Sequence, residues 1–182
     1  PRVNLSLKLT SLTARFDALH AEATAARVMS RLRRILREAR RLGAYVHVDM
    51  EQHVHKDLTS EIFRSVLGEP EFRDWPDAGI VAQAYLPETE ADLHALCGWA
   101  EARGTPVTVR LVKGAYWDYE VLLARQLGWD VPVFRQKWQS DANYERCSEY
   151  LLANRRWLRP AFGSHNLRSL AHAMAAAEAL GV

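Results

Sequence analysis

Polar residues recur late in a series of strand-like segments, and this pattern limits the fold more than any other feature. Strict alternation over residues 3–12 puts apolar side chains on one face and polar ones such as Ser6 and Lys8 on the other, as expected of a strand. Four further strand-like segments follow, over 44–52, 79–86, 106–114 and 159–165. Each has one apolar and one mixed or polar face, unlike the continuous apolar runs of a sheet buried on both faces.

Helix-like segments separate these strands. Apolar residues at helical spacing predict helices over 24–42, 57–67, 89–103, 117–127 and 141–154. Asn166 is placed to cap a last, alanine-rich helix that ends at Gly181. Strands that alternate with helices imply βαβ crossovers and a parallel sheet, so the predicted fold class is α/β.

The late polar positions favour one α/β architecture, the (β/α)₈ barrel. Such a barrel carries its active site at the carboxyl ends of its strands, where side chains from several strands meet. A complete barrel typically needs about 250 residues. This chain of 182 residues is therefore predicted to hold about five consecutive βα units, the central part of a single barrel domain over 1–182 with no boundary inside it. The late polar residues of the five segments are Lys8, Asp49, Gln83, Arg110 and His165.

Composition argues against several classes of protein. The 24 basic and 22 acidic residues give a net charge of +2, so no nucleic-acid partner is expected. Cys97 and Cys147 lie in helix-like stretches without metal-type spacing, which is typical of core thiols in a reduced, cytoplasmic protein. No apolar run approaches the ~20 residues of a membrane span, and the first residues lack the features of a signal peptide.

Several candidate site residues also fit a structural role when they are taken alone. Asp49 and Arg110 fit an ion pair inside a barrel, and Gln83 fits a hydrogen-bonded core amide. Tyr116 and Trp117 fit packing at the start of a helix. Sequence pattern alone leaves these alternatives open.

Two clusters of titratable residues are not expected to form a functional site. Asp49, Glu51 and the histidines 47, 53 and 55 have the composition of a metal site, but strand alternation spreads them apart, so no metal site is expected. The arginines within 27–41 predict a solvated helix face, or a face that docks another part of the same protein.

Five motifs, in this order and at these intervals, carry a more specific resemblance. They are SLKLTSL, VHVDMEQ, VAQAYL, RLVKGAYWDYE and FGSHN. With them the chain resembles the proline dehydrogenase barrel over nearly its whole length. VDMEQ followed by KDLTSEIF, together with LVKGAYWDYE, is most similar to the proline dehydrogenase part of the bifunctional proline utilisation flavoenzymes.

The resemblance implies an activity and a set of partners. It implies oxidation of L-proline to 1-pyrroline-5-carboxylate by hydride transfer to FAD, in the catabolism of proline to glutamate. It also implies a quinone as electron acceptor, a fused aldehyde dehydrogenase domain that uses NAD, and a cytoplasmic protein with transient peripheral membrane contact. The paired arginines that bind the proline carboxylate are expected outside residues 1–182, so this chain alone is expected to be inactive.

The resemblance also assigns roles residue by residue. The implied catalytic residues are Lys8, which positions the proline, Asp49, which organises neighbouring cations, Arg110, which donates toward flavin N5, and Tyr116, an aromatic wall. Glycine at 114 lets the main chain approach the cofactor, and the segment 164–166 offers N–H groups to its anionic portion. The implied cofactor-binding residues are Gln83, Arg110, Lys113, Gly114, Ala115, Trp117, Lys137, Ser140, Ser164, His165 and Asn166.

Two other functions remain open at this stage. A barrel aldolase would use Lys8 or Lys113 as a Schiff-base nucleophile. A non-enzymatic alternative treats the segment as a structural piece of a multidomain chain. A flavin absorbance band supports the first function, whereas borohydride trapping of a keto substrate on lysine supports the aldolase.

Overall fold

The computed structural model describes residues 3–182, in which one parallel sheet is connected by helices. The strands are β1 (Asn4–Leu7), β2 (Tyr45–Val48), β3 (Ala78–Gln83), β4 (Val107–Val112) and β5 (Leu158–Gly163). The helices are α1 (Ala21–Leu42), α2 (His53–Leu67), α3 (Thr89–Arg103), α4 (Trp117–Leu127), α5 (Lys137–Ala153) and α6 (Leu167–Ala179). Neighbouring strands in the chain are neighbours in the sheet, in the order β1-β2-β3-β4-β5. This is the arrangement of an incomplete (β/α)₈ barrel, and it confirms the predicted fold class.

The first strand is shorter than the alternation predicts. β1 ends at Leu7, and a 3₁₀ turn covers Leu9–Leu12, which the pattern had assigned to the strand. The main-chain N–H of Ser11 donates to the carbonyl of Lys8 at 3.1 Å, so the chain turns immediately after the strand. Lys8 therefore lies at the strand end, at the mouth of the barrel.

Two helices begin one turn earlier than predicted. α2 begins at His53, whose main-chain N–H donates to the carboxylate of Glu120 at 2.6 Å. α5 begins at Lys137, after Gln136, whose main-chain N–H donates to the side chain of Gln139 at 3.1 Å. These contacts satisfy N–H groups that a helix start leaves free.

The outward face of the sheet packs against the helices and forms the core. Alternation directs the apolar residues of β2, β3 and β4 toward the helices, whereas the polar residues face the barrel interior. Burial of each large aliphatic side chain contributes about 1.5–3 kcal/mol. The core includes Val46, Val48, Ile80, Val109 and Leu111 from the strands and Leu32, Ile62, Leu93 and Leu151 from the helices.

The arginines of α1 lie on a mostly exposed helix face, as expected of the solvated alternative, and several of them also form ion pairs. Three of them bind acidic residues of the loop that follows α2. The pairs are Arg33 with Glu69, Arg37 with Glu71 and Arg40 with Asp74. They connect α1 to the amino-terminal end of the barrel.

A buried arginine forms hydrogen bonds with the main chain at this end of the barrel. Arg103 is 6% exposed and donates to the carbonyls of Leu67, Phe72 and Trp75 at 2.9, 2.7 and 2.7 Å. Burial lowers the pKa of Arg103 to about 10. Through these neutral acceptors, Arg103 holds the end of α2 and the loop between α2 and β3 in place. None of the helices between residues 3 and 182 is long and apolar enough to cross a membrane.

Candidate active site

The carboxyl ends of the strands surround an open cavity of about 500 Å³, hereafter the mouth cavity. Every sequence-predicted site residue except Trp117 and Ser140 lines it, because strand alternation directs these side chains to the barrel interior or places them in the loops above it. The lining includes Lys8, Asp49, Gln83, Arg110, Lys113, Gly114, Ala115, Tyr116, Lys137, Ser164, His165 and Asn166. Met50, Val81, Val112 and Gly163, which the motifs did not single out, also line it.

Asp49 and Arg110 form an ion pair at the floor of the mouth cavity. The guanidinium of Arg110 on β4 donates to Asp49 Oδ1, just after β2, and the hydroxyl of Ser6 donates to the same oxygen at 2.8 Å. Arg110 keeps 39% of its side chain exposed, and Asp49 is its one hydrogen-bond partner among residues 3–182. Its other N–H donors are therefore available to a ligand.

Lys8 and Tyr116 meet at the rim of the cavity. The ammonium of Lys8 donates to the Tyr116 hydroxyl at 3.4 Å. This hydrogen bond, with the negative charges of Glu51 and Asp49, raises the pKa of Lys8. Lys8 is therefore a cation at neutral pH and suits an anionic ligand.

Gln83, the last residue of β3, carries an unpaired buried acceptor. Its Nε2 donates to the Glu51 carbonyl at 3.1 Å and to the Tyr85 hydroxyl at 3.4 Å. A carbonyl can only accept, so this contact fixes which end of the amide is nitrogen. Among residues 3–182, Oε1 of Gln83 has no partner, although Gln83 is only 3% exposed. Besides the mouth cavity, Gln83 lines a small enclosed cavity of about 40 Å³.

The backbone conformation and the packing around position 114 require a glycine there. Its φ is +130°, and a Cβ there would lie 2.4 Å from the ring of Tyr85. The sequence-based prediction attributed this glycine to close approach of a cofactor. The structure gives a different reason, a positive φ above an aromatic ring, and a cofactor contact at Gly114 stays a prediction.

Two lysines at one side of the cavity share a carboxylate. Lys113 Nζ and Lys137 Nζ donate to the two oxygens of Asp141 at 2.5 and 2.6 Å. The pair lowers the pKa of Asp141, against the effect of its burial. Asp141 thus fixes one lysine from the loop after β4 and one from the first turn of α5.

The segment 164–166 forms the start of α6 at the cavity. The side chain of Asn166 accepts the main-chain N–H of Ser169 at 3.2 Å, as predicted for a cap. The Ser164 hydroxyl accepts the N–H of Asn166 at 3.0 Å. The exposed N–H groups at such a helix start favour an anion.

Trp117 and Ser140 do not reach the mouth cavity. The indole N–H of Trp117 donates to the Phe134 carbonyl at 2.8 Å, which ties the ring to the loop before α5. Ser140 is buried in the first turn of α5. α5 begins at Lys137, one turn earlier than the sequence predicts. Ser140 therefore lies within the helix, on its packed side.

A buried histidine lies beneath the mouth on the inward face of β2. Nδ1 of His47 lies 2.7 Å from the Tyr45 hydroxyl, and Nε2 has no partner among the described residues. Burial, with the nearby charge of Arg110, lowers the pKa of His47 to about 4. Gly79 leaves room for both rings, since a Cβ there would lie 2.0 Å from the Tyr45 hydroxyl. Within residues 3–182, no three histidine, cysteine or carboxylate side chains are close enough together to hold a metal ion.

These features define a class of protein: a (β/α)₈-type barrel whose strand ends present charged and hydrogen-bonding groups to one open cavity. The sequence model of the proline dehydrogenase family matches residues 1–182. The chain belongs to the proline dehydrogenase family.

Individual relatives agree with this assignment. The chain is 29% identical over 168 residues to the bifunctional protein PutA of Escherichia coli K12, and 30% identical over 168 residues to that of Rhizobium meliloti. These matches cover 92% of this chain but 13 and 14% of the relatives, so the chain spans a small part of their length.

Solved structures of proline utilization A (PutA) give the same fold. The protein from Bdellovibrio bacteriovorus inactivated by N-propargylglycine is 47% identical, with a TM-score of 0.98 over 100% of this chain and 19% of that one. The protein from Corynebacterium freiburgense is 32% identical, with a TM-score of 0.93 over 97% of this chain and 19% of that one.

Proposed function

We propose that the protein carrying this chain oxidises L-proline to 1-pyrroline-5-carboxylate, with FAD as the hydride acceptor. The observation that carries the proposal is the mouth cavity, where two strands, three loops and the start of α5 present cations, a carboxylate and an amide oxygen without a partner among residues 3–182 to one ligand space. Membership of the proline dehydrogenase family supports the choice of substrate. Residues 1–182 are, in this proposal, the central part of one barrel domain.

The residues of the cavity fit FAD. The unpaired Oε1 of Gln83 requires a donor, and a flavin ring carries an N–H group that can supply one. Arg110 has free donors for a ring nitrogen, and the start of α6 at 164–166 suits an anionic portion. Lys113 and Lys137 add positive charge on one side. When bound, FAD supplies a two-electron acceptor for a hydride.

The remaining work of the site is to bind and orient proline. The oxidation removes a hydride from C5 and a proton from the ring nitrogen, and a C=N bond forms between these atoms. The cationic Lys8 attracts the proline carboxylate, and Tyr116 beside it forms a wall of the pocket. Lys8 and Arg110 also disfavour a protonated ring nitrogen, so they favour the neutral amine from which a hydride can leave. Asp49 orients Arg110.

The aldolase alternative has less support from the same contacts. A Schiff-base lysine must be neutral to attack a carbonyl, and it is usually desolvated to reach that state. The pKa of Lys8 is raised, not lowered. The ammonium of Lys113 is paired with Asp141. Proline oxidation accounts better for both lysines.

The rest of the proposal concerns the whole protein. The bifunctional relatives motivate a fused aldehyde dehydrogenase domain that uses NAD and would consume the product, and catabolism of proline to glutamate as the pathway. A quinone as electron acceptor, a cytoplasmic location and transient membrane contact complete the proposal. Membrane association in the presence of proline, measured by sedimentation with vesicles, tests the last point.

Anaerobic addition of L-proline to the full-length protein tests the proposed activity. We expect a flavin absorbance band that bleaches on addition of L-proline and does not bleach with D-proline. A protein that lacks flavin, or a flavin that L-proline leaves oxidised, would contradict the proposal. Borohydride trapping of a keto substrate on Lys8 or Lys113 would favour the aldolase instead.

A further inference from the structure

Tyr85, just after β3, contacts two residues that line the mouth cavity: Gln83 of β3 and Gly114 of the loop after β4. It is 2% exposed and was not among the sequence-predicted site residues. Its hydroxyl accepts from Nε2 of Gln83 at 3.4 Å. Burial raises the pKa of Tyr85, so this hydroxyl remains neutral.

The ring and the main chain of Tyr85 hold the same loop. The ring lies directly against Gly114, at the distance that excludes a Cβ. Its main-chain N–H donates to the carbonyl of Lys113 at 2.7 Å, and its carbonyl accepts the N–H of Phe134 at 2.8 Å. Tyr85 therefore touches Lys113 and Gly114 and also the segment that leads into α5.

We propose that Tyr85 is a positioning residue, which sets the placement of the Gln83 carboxamide and of the 113–116 loop around the mouth cavity. This inference rests on the proposed function. The Tyr85 hydroxyl is one of two acceptors that hold Nε2 of Gln83, so it helps to fix the direction of the unpaired Oε1. The ring and main chain of Tyr85 hold Gly114 and Lys113, just before Tyr116, whose side chain contacts Lys8.

Tyr85→Phe in the full-length holoenzyme tests the inference, with Tyr144→Phe as a matched control. Tyr144 is also buried and loses the same atom, but its hydroxyl has no partner among residues 3–182. We expect Tyr85→Phe to weaken FAD affinity of the apoprotein about 5-fold to 10-fold, as measured by flavin fluorescence, and to raise KM for proline several-fold. Tyr144→Phe should leave both values unchanged.

A double-mutant cycle separates positioning from general destabilisation. Tyr85→Phe is repeated in a Gln83→Met background, which has no carboxamide to position. Any general loss of stability is common to both backgrounds. We expect the effect on FAD affinity to be mostly absent in the Gln83→Met background, since coupled residues are not additive.

The possible results separate this inference from the proposed function. FAD binding by the unmutated protein with no change in Tyr85→Phe, or an equal effect in both backgrounds, would overturn the positioning of Gln83 by the Tyr85 hydroxyl and leave the proposed function intact. An unmutated protein that binds no FAD would overturn both. The coupled loss described above would support both.

Discussion

Two arginines near opposite ends of β4 show how this barrel divides its charges. Arg103, at the amino-terminal end, is buried and donates to the carbonyl that ends α2 and to two carbonyls of the loop between α2 and β3. Arg110, toward the carboxyl end, remains partly exposed and has one carboxylate partner among the described residues. The donors of Arg103 are used within the fold, whereas most of those of Arg110 have no partner among residues 3–182.

The same contrast holds for the groups around each arginine. At the amino-terminal end, ion pairs and carbonyl contacts satisfy the charged side chains. At the mouth, the amide oxygen of Gln83 is buried without a partner among residues 3–182. Unsatisfied polar groups are costly in a folded protein and are therefore expected where a ligand binds. Substitutions at the two ends should accordingly affect different properties.

The largest expected effect on stability is that of Arg103→Met. It would leave buried carbonyls of Leu67, Phe72 and Trp75 without a donor, at a cost of about 3–5 kcal/mol. Thermal unfolding of the full-length protein measures the loss. Arg64→Met is the control, because among residues 3–182 the one hydrogen bond of the Arg64 side chain is to the Ser60 carbonyl within its own helix. Equal melting temperatures for the two variants would contradict a structural role for Arg103.

His47 should make the barrel sensitive to acid. Its folded-state pKa of about 4 lies below the ordinary value of 6.5. The unfolded chain therefore binds a proton between these pH values that the folded protein does not, and stability falls by about 3 kcal/mol as pH falls from 6.5 to 4. His47→Gln should reduce this dependence, as measured by denaturant unfolding over that pH range. An unchanged acid dependence in the variant would refute this assignment.

Gly114→Ala should have an intermediate effect on stability and also reduce flavin content. The new Cβ meets the Tyr85 ring and a positive φ, a cost of about 2 kcal/mol. Displacement of the 113–116 loop should lower the ratio of flavin to protein absorbance. Gly98→Ala is the control, because it lies within α3 and a Cβ there meets nothing within 4 Å. Normal flavin content in Gly114→Ala would argue against a cofactor next to this loop.

The smallest effect is expected for Arg37→Ala. Its ion pair with Glu71 is exposed on both sides, so solvent screens it. We expect no resolvable change in melting temperature, flavin content or turnover. A clear loss of stability would mean that the ion pairs of α1 act as one network.

The sequence predicted the site better than the contacts that support it. The period of two along each strand is visible locally, and it placed Lys8, Asp49, Gln83 and Arg110 at one end of the barrel. The contacts of Arg103 join it to residues 28 to 36 positions away, and nothing near it in the chain indicates them. Non-local packing of this kind has no local pattern.

Helix starts and the role of Tyr85 escaped prediction for the same reason. The start of α2 depends on Glu120, which is 67 positions from His53 in the chain. Tyr85 looks like an ordinary aromatic residue at a strand end in the sequence, because its contacts with Lys113 and Gly114 form only when β3 and β4 pair. A glycine next to aromatic residues in the motif KGAYW was the one local sign of close packing.

The most direct test of the division between the two ends is stopped-flow reduction of bound flavin by L-proline in the full-length Arg110→Met variant. We expect normal flavin content, a melting temperature close to that of the unmutated protein and flavin reduction slower by roughly 10²-fold, because the proposed function has Arg110 donate where charge develops in the reaction. Unchanged reduction, or a loss of stability like that expected for Arg103→Met, would contradict the account.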